Sequence, residues 1–382
     1  MSQIFVVNSG SSSIKYQLLD LDSEQAVLGG LVERIGEPGS GVPDHETGLR
    51  DILSLLGTGH DIAGVGHRVV HGGAHFTAAT LITDEVEAGI DALSPLAPLH
   101  NPANLQGIRA ARAALPDLPH VAVFDTAFHH TLPAAAYTYA IDAELAAEHG
   151  IRRYGFHGTS HKYVSEQAAE FLGRPLTSLK TIVLHLGNGA SVAAIDGGVS
   201  IETSMGMTPL EGLVMGTRSG DVDPAVLIHL HRRAGLDVDE LDTLLNRRSG
   251  LLGLTGSGDM RDVQSAAVDG DAVAEAALAV YRHRIRRYIG AYIAHLGGLD
   301  AIVFTAGVGE NNSLLRRRTL AGLEFLGIHV DADRNEVRSK QPRRISPDDS
   351  PVAVLVIPTN EELEIARQTA AAAGLGARPH PR

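Results

Sequence analysis

The stretch Asn8-Ser9-Gly10-Ser11-Ser12-Ser13-Ile14-Lys15 puts an amide, four hydroxyls, a glycine and an ammonium within eight residues. A Gly-Ser-Ser-Ser turn aims several backbone N–H groups and hydroxyls at one point, the donor array that a polyanion needs. Lys15 lies on the returning strand, within reach of the same anion. Alone, the stretch also reads as a polar hairpin with an exposed lysine. A second glycine turn, the run His185 to Gly189 followed by Ala190 and Ser191, weakens that plain reading. Two such turns facing each other would grip a phosphate chain from both sides. A third Gly-rich turn, Gly307-Val308-Gly309-Glu310-Asn311, follows an apolar run and suits the nucleoside. The chain has no GxxxxGK[ST] stretch, so it is not a P-loop protein.

Two arginines sit among glycines: Arg68 in GVGHRVVHGG and Arg218 in MGTRSGDVDP. That setting suits bidentate binding of carboxylate or phosphate, and a surface salt bridge is the plain alternative. His157 and His161 are four apart, as are His67 and His71, but no glutamate follows either first histidine as a zinc-protease helix requires. A histidine donating a hydrogen bond to a reacting oxygen fits better than a metal site, with core or capping roles as the alternative. Asp125 ends the run VAVFD, where aspartate often caps a turn. Glu361 falls in the first turn of the last helix, and on residue type alone it reads as a structural complement to the helix dipole.

Elements must hold these groups, and the pattern is a repeated device. IFVVNSG is echoed by IVLHLGNG; aligned at glycine, Val6-Val7-Asn8-Ser9-Gly10 lies over Val183-Leu184-His185-Leu186-Gly187. Both runs continue into a second strand ending in aspartate, IKYQLLD and SVAAID. The cadence returns in AIVFTAGVGEN and partly in VAVFDTAF. Four strand ends carrying polar groups predict two related α/β halves, with ligand collecting at strand carboxyl ends. NPANLQGIRAARAAL reads as a helix with an apolar stripe. Asp223-Pro224 opens another as N-cap and first residue. The segment 271–298 is a long helix closed by glycine. Thr359 and Glu362 form a capping-box pattern. Segments 36–48 and 339–351 read as surface loops, the region near 150 as a domain crossing, and the tail as frayed.

The 382 residues are 44% apolar and predict two domains with ample core. The net charge of −13 and the lack of any basic block argue against nucleic acid and anionic membranes as partners. With no cysteine, disulfides, thiolate metal sites and a cysteine nucleophile are excluded. No signal-peptide pattern and no transmembrane-length apolar run is present, so a cytoplasmic protein is expected.

Ten collinear motifs resemble the acetate kinase family: VNSGSSSIKYQL, GHRVVHGG, PLHNP, VAVFDTAFH, RRYGFHGTSH, HLGNGAS, TSMGMTPLEGLVMGTRSGDVDP, GSGDMRDV, TAGVGENN and PTNEEL. They run in order from residue 4 to about 367, and Ser219 stands where many members have cysteine. The resemblance implies the fold of sugar kinases, actin and heat-shock ATPases, with duplicated βββαβαβα, RNase H-like cores and a cleft between two domains. The expected domains are 1–149 plus 366–382, on the acetate and phosphate side, and 150–365, for nucleotide and for homodimer formation.

The resemblance also implies roles. Asn8 and Glu361 become magnesium-site positions, which overrides the structural reading of Glu361; manganese is a possible substitute. Lys15, Ser11, Ser13, the run His185, Leu186, Gly187, Asn188, Gly189, the run Asp259, Met260, Arg261, and the run Gly307, Val308, Gly309, Glu310, Asn311 become ATP-binding positions. Arg68 becomes the acetate-binding arginine, with His100 nearby, and Val70, Leu99, Phe156 and Pro209 a small pocket for the methyl group. Asp125, His157 and Arg218 become catalytic.

The implied reaction is ATP + acetate ⇌ ADP + acetyl phosphate, joining acetate to acetyl phosphate and acetyl-CoA metabolism. Acetate is already ionised at neutral pH, so its attacking oxygen needs no general base. Placement and charge neutralisation carry the catalysis, and Asp125 is expected to hold metal-bound water or orient an arginine. Direct in-line transfer is expected over a phosphoenzyme. The alternatives are a propionate or butyrate kinase of the same family, an actin-like or chaperone ATPase, and a non-catalytic nucleotide sensor.

Overall fold

A computed structural model describes residues 3–37, 39–56 and 60–375. The described chain divides into two compact units. One comprises residues 1–130, 158–160 and 360–382; the other comprises 131–157 and 161–359.

Among the described residues, twelve strands form two six-stranded sheets. The first holds β1 (Gln3–Ser9), β2 (Ser13–Asp20), β3 (Gln25–Glu33), β4 (Ile62–Val69), β5 (Thr80–Leu81) and β6 (His120–Phe124). The second holds β7 (Lys180–Leu186), β8 (Ala190–Asp196), β9 (Val199–Thr203), β10 (Ala301–Thr305), β11 (Arg343–Arg344) and β12 (Ala353–Val356). The first sheet runs 3-2-1-4-6-5 and the second 9-8-7-10-12-11, the same order six strands on. In each, the first two pairings are antiparallel, the middle ones parallel, and the short edge strand antiparallel again. The aligned repeat falls in register, since β1 and β7 both have seven residues and end at Ser9 and Leu186. This is the duplicated α/β architecture expected from the sequence.

Alternation places the site groups of the first unit. Phe5 and Val7 of β1, Ile14, Tyr16 and Leu18 of β2 and Val65 of β4 enter one apolar core with Leu49 and Ile52. Their alternates, Asn8, Lys15 and Arg68, therefore share the opposite face. Asn8 and Lys15 are direct cross-strand partners. The helix Glu361–Ala372 packs across β1, β4 and β6, and Gly66 permits the approach. A Cβ there would lie 2.4 Å from Thr369 Oγ1 and 2.9 Å from Ile365 Cγ2.

The expected helices appear at Asn101–Ala114, at Pro224–Ala234 with Asp223 as its cap, and at Ala272–Leu296 closed by Gly297. Three expectations need correction. The last helix is capped by Asn360, whose side chain accepts from the Leu363 N–H, and not by Thr359 with Glu362. Segment 36–48 already contains the start of the helix His45–Leu56, and 339–351 contains β11. The run Gly307–Asn311 is no open turn but lies in the short helix Ala306–Asn311. A buried Ala306 with φ +64° makes that abrupt strand-to-helix switch. No helix among the described residues is long and apolar enough to cross a membrane.

Candidate active-site groups

In the first unit, Arg68 near the end of β4 and Asp125 just past β6 meet side by side. Arg68 Nε donates to Asp125 Oδ1 at 2.9 Å and Nη2 to Oδ2 at 2.6 Å. Asp125 is 3% exposed and Arg68 21%, so the pair is largely sealed from solvent. Burial works against the arginine's charge, but Asp125 and then Glu361 outweigh it and hold it protonated. The Asp125 main chain is pinned too: its N–H donates to Val69 O, and its carbonyl accepts from Gly158 N–H at 2.9 Å.

Glu361 and Glu362 open the last helix beside this pair. Lys15 forms an ion pair with Glu362. Burial raises the Glu361 carboxyl above the usual glutamate range; Arg68 opposes the rise, while Asp125 and Glu362 add to it. Three carboxylates thus share a surface with two cations, short of positive charge. Among the described residues no three His, Cys, Asp or Glu form a group that could hold a metal ion unaided. Magnesium is commonly held by one or two carboxylates plus substrate phosphates and water. The Asn8 amide and the under-compensated Glu361 carboxylate fit that donor set.

The hairpin turn between β1 and β2 is built by Gly10, whose N–H donates to Ser13 O at 2.8 Å. The buried His45 ring holds the Gly10 carbonyl at 2.7 Å. Ser11 is exposed and Ser13 half-buried at its rim. Val70 is buried, whereas Leu99 and His100 are exposed just before the helix Asn101–Ala114. His71 is locked into local structure, its Nδ1 accepting from Gly73 N–H. His67 Nε2 lies 3.0 Å from His120 Nδ1, and burial pushes both imidazoles below their ordinary range.

In the second unit, the turn Gly187-Asn188-Gly189 joins β7 to β8, with Gly187 N–H donating to Gly189 O at 3.0 Å. Two side chains converge on Gly189: a Cβ built there would sit 3.1 Å from Arg218 Nη2 and 3.7 Å from His157 Cε1. His157 takes a left-handed backbone (φ +57°) as the cap of the helix Gly158–Leu172, with Nδ1 2.9 Å from Ser191 Oγ. Its ring stacks on His185 at 4.2 Å. His161 Nε2 reaches the same Ser191 hydroxyl at 2.8 Å. Arg218 donates to Pro209 O at 2.7 Å and forms no ion pair with any described residue. Burial, with no countercharge, lowers its pKa. Phe156 is buried and Pro209 half-buried.

The nucleotide candidates of this unit are also drawn together. A Cβ on Gly216 would lie 1.9 Å from Asn188 Oδ1 and 2.9 Å from Gly258 O. Gly216 thus lets the Asn188 turn close against the segment leading to Asp259. Asp259 caps the helix Met260–Val268 and pairs with Arg261, whose hydrogen bonds lower its carboxyl to about 2. Thr305 pairs with His185 across β10 and β7, which sets the helix Ala306–Asn311 beside the turn.

Three supporting residues escaped the sequence reading. Gly216 lies in a motif rich in glycine, and spacing does not say which one faces a neighbour. Arg316 is 1% exposed, and its Nη1 donates to the carbonyls of Gly309 and Glu310. Within Arg316-Arg317-Arg318 it looks like a solvated helix face. Asn104 is one amide on a helix read only for its apolar stripe.

The model of the Acetokinase family matches residues 3–367. An acetate kinase of Clavibacter michiganensis subsp. michiganensis is 64% identical, over 97% of this chain and 99% of that protein. The crystal structure of Porphyromonas gingivalis acetate kinase superposes with a TM-score of 0.93 at 43% identity, covering 97% of this chain and all of that one. A propionate kinase from Francisella tularensis superposes with a TM-score of 0.91 at 42% identity and the same coverage. With its glycine turns, its paired arginine and aspartate, and this match over nearly its whole length, the chain belongs to the acetokinase family.

Proposed function

We propose that the chain transfers the γ-phosphoryl group of ATP to acetate, giving acetyl phosphate and ADP, and runs the reverse reaction. The acceptor rests on one observation, the near-full-length 64% identity to a protein named acetate kinase. The geometry supports the chemistry. In the first unit Asp125 fixes the guanidinium of Arg68, a partly exposed cation suited to a small carboxylate. In the second, Arg218 and His157 crowd the Gly189 turn with no carboxylate on the arginine.

Acetate is ionised at neutral pH and needs no base. Its oxygen forms a bond to the γ-phosphorus as the bond to the β–γ bridging oxygen breaks. Arg68 anchors the carboxylate; Arg218 and His157 face the charge that spreads over the transferring group. The glycine turns and Lys15 hold the phosphate chain; Asp259 to Arg261 and Gly307 to Asn311 hold the nucleoside. A magnesium ion, held by Asn8 and Glu361, would neutralise phosphate charge. Asp125 orients Arg68. The route is a single in-line displacement, for which inversion at phosphorus is the expected stereochemistry.

Second-unit helices Pro224–Ala234 and Val238–Arg247 bury none of their residues, while Val226, Ile228 and Val238 stand exposed. This supports a homodimer through that unit. A cytoplasmic location and a place beside acetyl-CoA metabolism complete the proposal.

Trapping of acyl phosphate by hydroxylamine, with ATP, magnesium and acetate, propionate or butyrate, is the direct test. The highest kcat/KM is expected for acetate. A maximum at propionate would transfer the assignment to the second reading, which the Francisella similarity favours; acid-independent ATP hydrolysis would defeat both.

A further inference from the structure

β1 and β4 run parallel, in unbroken register from Ile4 and Gly64 to Val7 and His67. Beyond that point one strand leads into the Ser9–Ser13 turn and the other into Arg68, Val69 and Val70. The side-chain amide of Asn104 bridges the two. Its Nδ2 donates to Ser9 O at 2.7 Å, and its Oδ1 accepts from Val70 N–H at 3.0 Å. Only this orientation of the amide satisfies both backbone groups. Asn104 is 4% exposed, so neither group has water as a substitute.

The neighbouring turns of the same helix reinforce the bridge. Asn101 brackets His71, accepting from its N–H at 3.1 Å and donating to its carbonyl at 3.0 Å. On the other side, Gly107 makes room for Ser9: a Cβ there would lie 2.0 Å from Ser9 Oγ. Asn101, Asn104 and Gly107 recur every third residue along one side of the helix. They fix where the strand ends lie relative to each other.

We infer that Asn104 is a positioning residue for phosphoryl transfer, its amide replacing one rung of the β1–β4 ladder. It holds the anion-binding turn in register with the strand end that carries Arg68. The inference rests on the proposal that this turn and Arg68 serve one reaction. Phosphoryl transfer requires donor and acceptor to be aligned within a fraction of an ångström, and neither strand supplies that alignment once the ladder has ended. The residue type is demanding: aspartate keeps the acceptor and loses the donor, leucine loses both, and glutamine carries the amide one methylene too far.

The test combines Asn104→Asp and Asn104→Leu with a double-mutant cycle against Arg68→Lys, in the full-length protein. Asn104→Asp should lower kcat about tenfold or more while ADP affinity by calorimetry changes less than about threefold. In the Arg68→Lys background the same substitution should cost much less, because the alignment it protects is already lost. An unchanged kcat, or the same loss in both backgrounds, would overturn the inference. Should the asparagine variants fold poorly, Gly107→Ala tests the same register: it should lower kcat by pushing Ser9, and Ser9→Gly in the same chain should restore it. Full activity in Gly107→Ala, or no recovery with Ser9→Gly, would count against it. Wild-type acyl phosphate formation is scored first; its absence defeats the proposed function and not the bridge alone.

Discussion

Asp125 meets Arg68 with both carboxylate oxygens, at 2.9 and 2.6 Å, and so fixes the guanidinium plane before any substrate arrives. Of the two roles expected for this aspartate, orienting an arginine is the one its hydrogen bonds support. Asp125→Asn keeps the size but weakens one arm of the fork and removes the countercharge. The acetate KM should rise about tenfold or more, with kcat falling alongside. If Asp125 instead acts mainly through metal-bound water, the magnesium requirement will rise while the acetate KM stays put. Steady-state kinetics varying acetate and magnesium separately tell these apart. Arg68→Ala should also destabilise the fold by about 3 kcal/mol, because it strands a buried carboxylate; chemical denaturation measures this.

Arg218 presents the reverse situation. Its guanidinium is half-buried, bonded to one carbonyl and unopposed by any acidic side chain among the described residues. Such a cation stands ready for charge that appears only during reaction. Arg218→Ala should cut kcat by about 10²-fold or more with a small change in ATP KM. Because no ion pair is broken, its melting temperature should match or exceed that of the wild type. A large loss of stability with modest loss of kcat would make Arg218 a structural residue.

The strand ends were legible because alternation and glycine leave marks in composition. Ser9 and Leu186 end their strands as the aligned repeat required, and Asn8, Lys15 and Arg68 share a face by simple parity. The short antiparallel edge strands of the two sheets were not legible: two-residue strands such as Thr80–Leu81 and Arg343–Arg344 carry no periodicity. The cap at Asn360 was missed because Thr359 and Glu362 match the capping-box spacing, whereas Glu362 is taken up by Lys15. The short helix at Ala306 was missed because its glycines argue for a turn, and a strained alanine starts it. Asn104, Gly216 and Arg316 act through backbone atoms distant in sequence, a relation that no local pattern records.

Glu361 gives a pH prediction whose sign follows from its surroundings. Burial raises its pKa in the folded state, with Asp125 and Glu362 adding to the effect against Arg68 and Lys15. A raised value means that the fold favours the protonated form. The contribution is fully present below the ordinary glutamate value of 4.5 and is lost as pH climbs through the raised value. On the proposal that Glu361 holds a divalent cation, protonation removes the ligand, so the cation's stabilising effect should grow with pH. Thermal melts with ADP and magnesium at pH 5 and pH 8 should show the larger magnesium-dependent rise at pH 8. Glu361→Gln should flatten that difference. An equal magnesium effect at both pH values in the wild type would remove Glu361 from the metal site.

Gly216 tests the nucleotide side without touching a charged group. Its hydrogen faces Asn188 Oδ1 and Gly258 O, and Gly216 N–H donates to the Asn188 carbonyl at 3.0 Å. A methyl group there would sit 1.9 Å from the asparagine oxygen, far inside contact distance, so the Gly187–Gly189 turn must move. That turn also neighbours Arg218 and His157, so displacement should reach both nucleotide binding and phosphoryl transfer. Gly216→Ala is expected to raise the ATP KM and weaken ADP binding by about tenfold, while the acetate KM, which the proposed function assigns to Arg68, changes less than about twofold. Adding Asn188→Gly removes the colliding oxygen and should not recover ADP affinity if the asparagine itself binds nucleotide. Recovery to the wild-type value would mean that Asn188 only occupies space, and that the backbone of the turn does the binding.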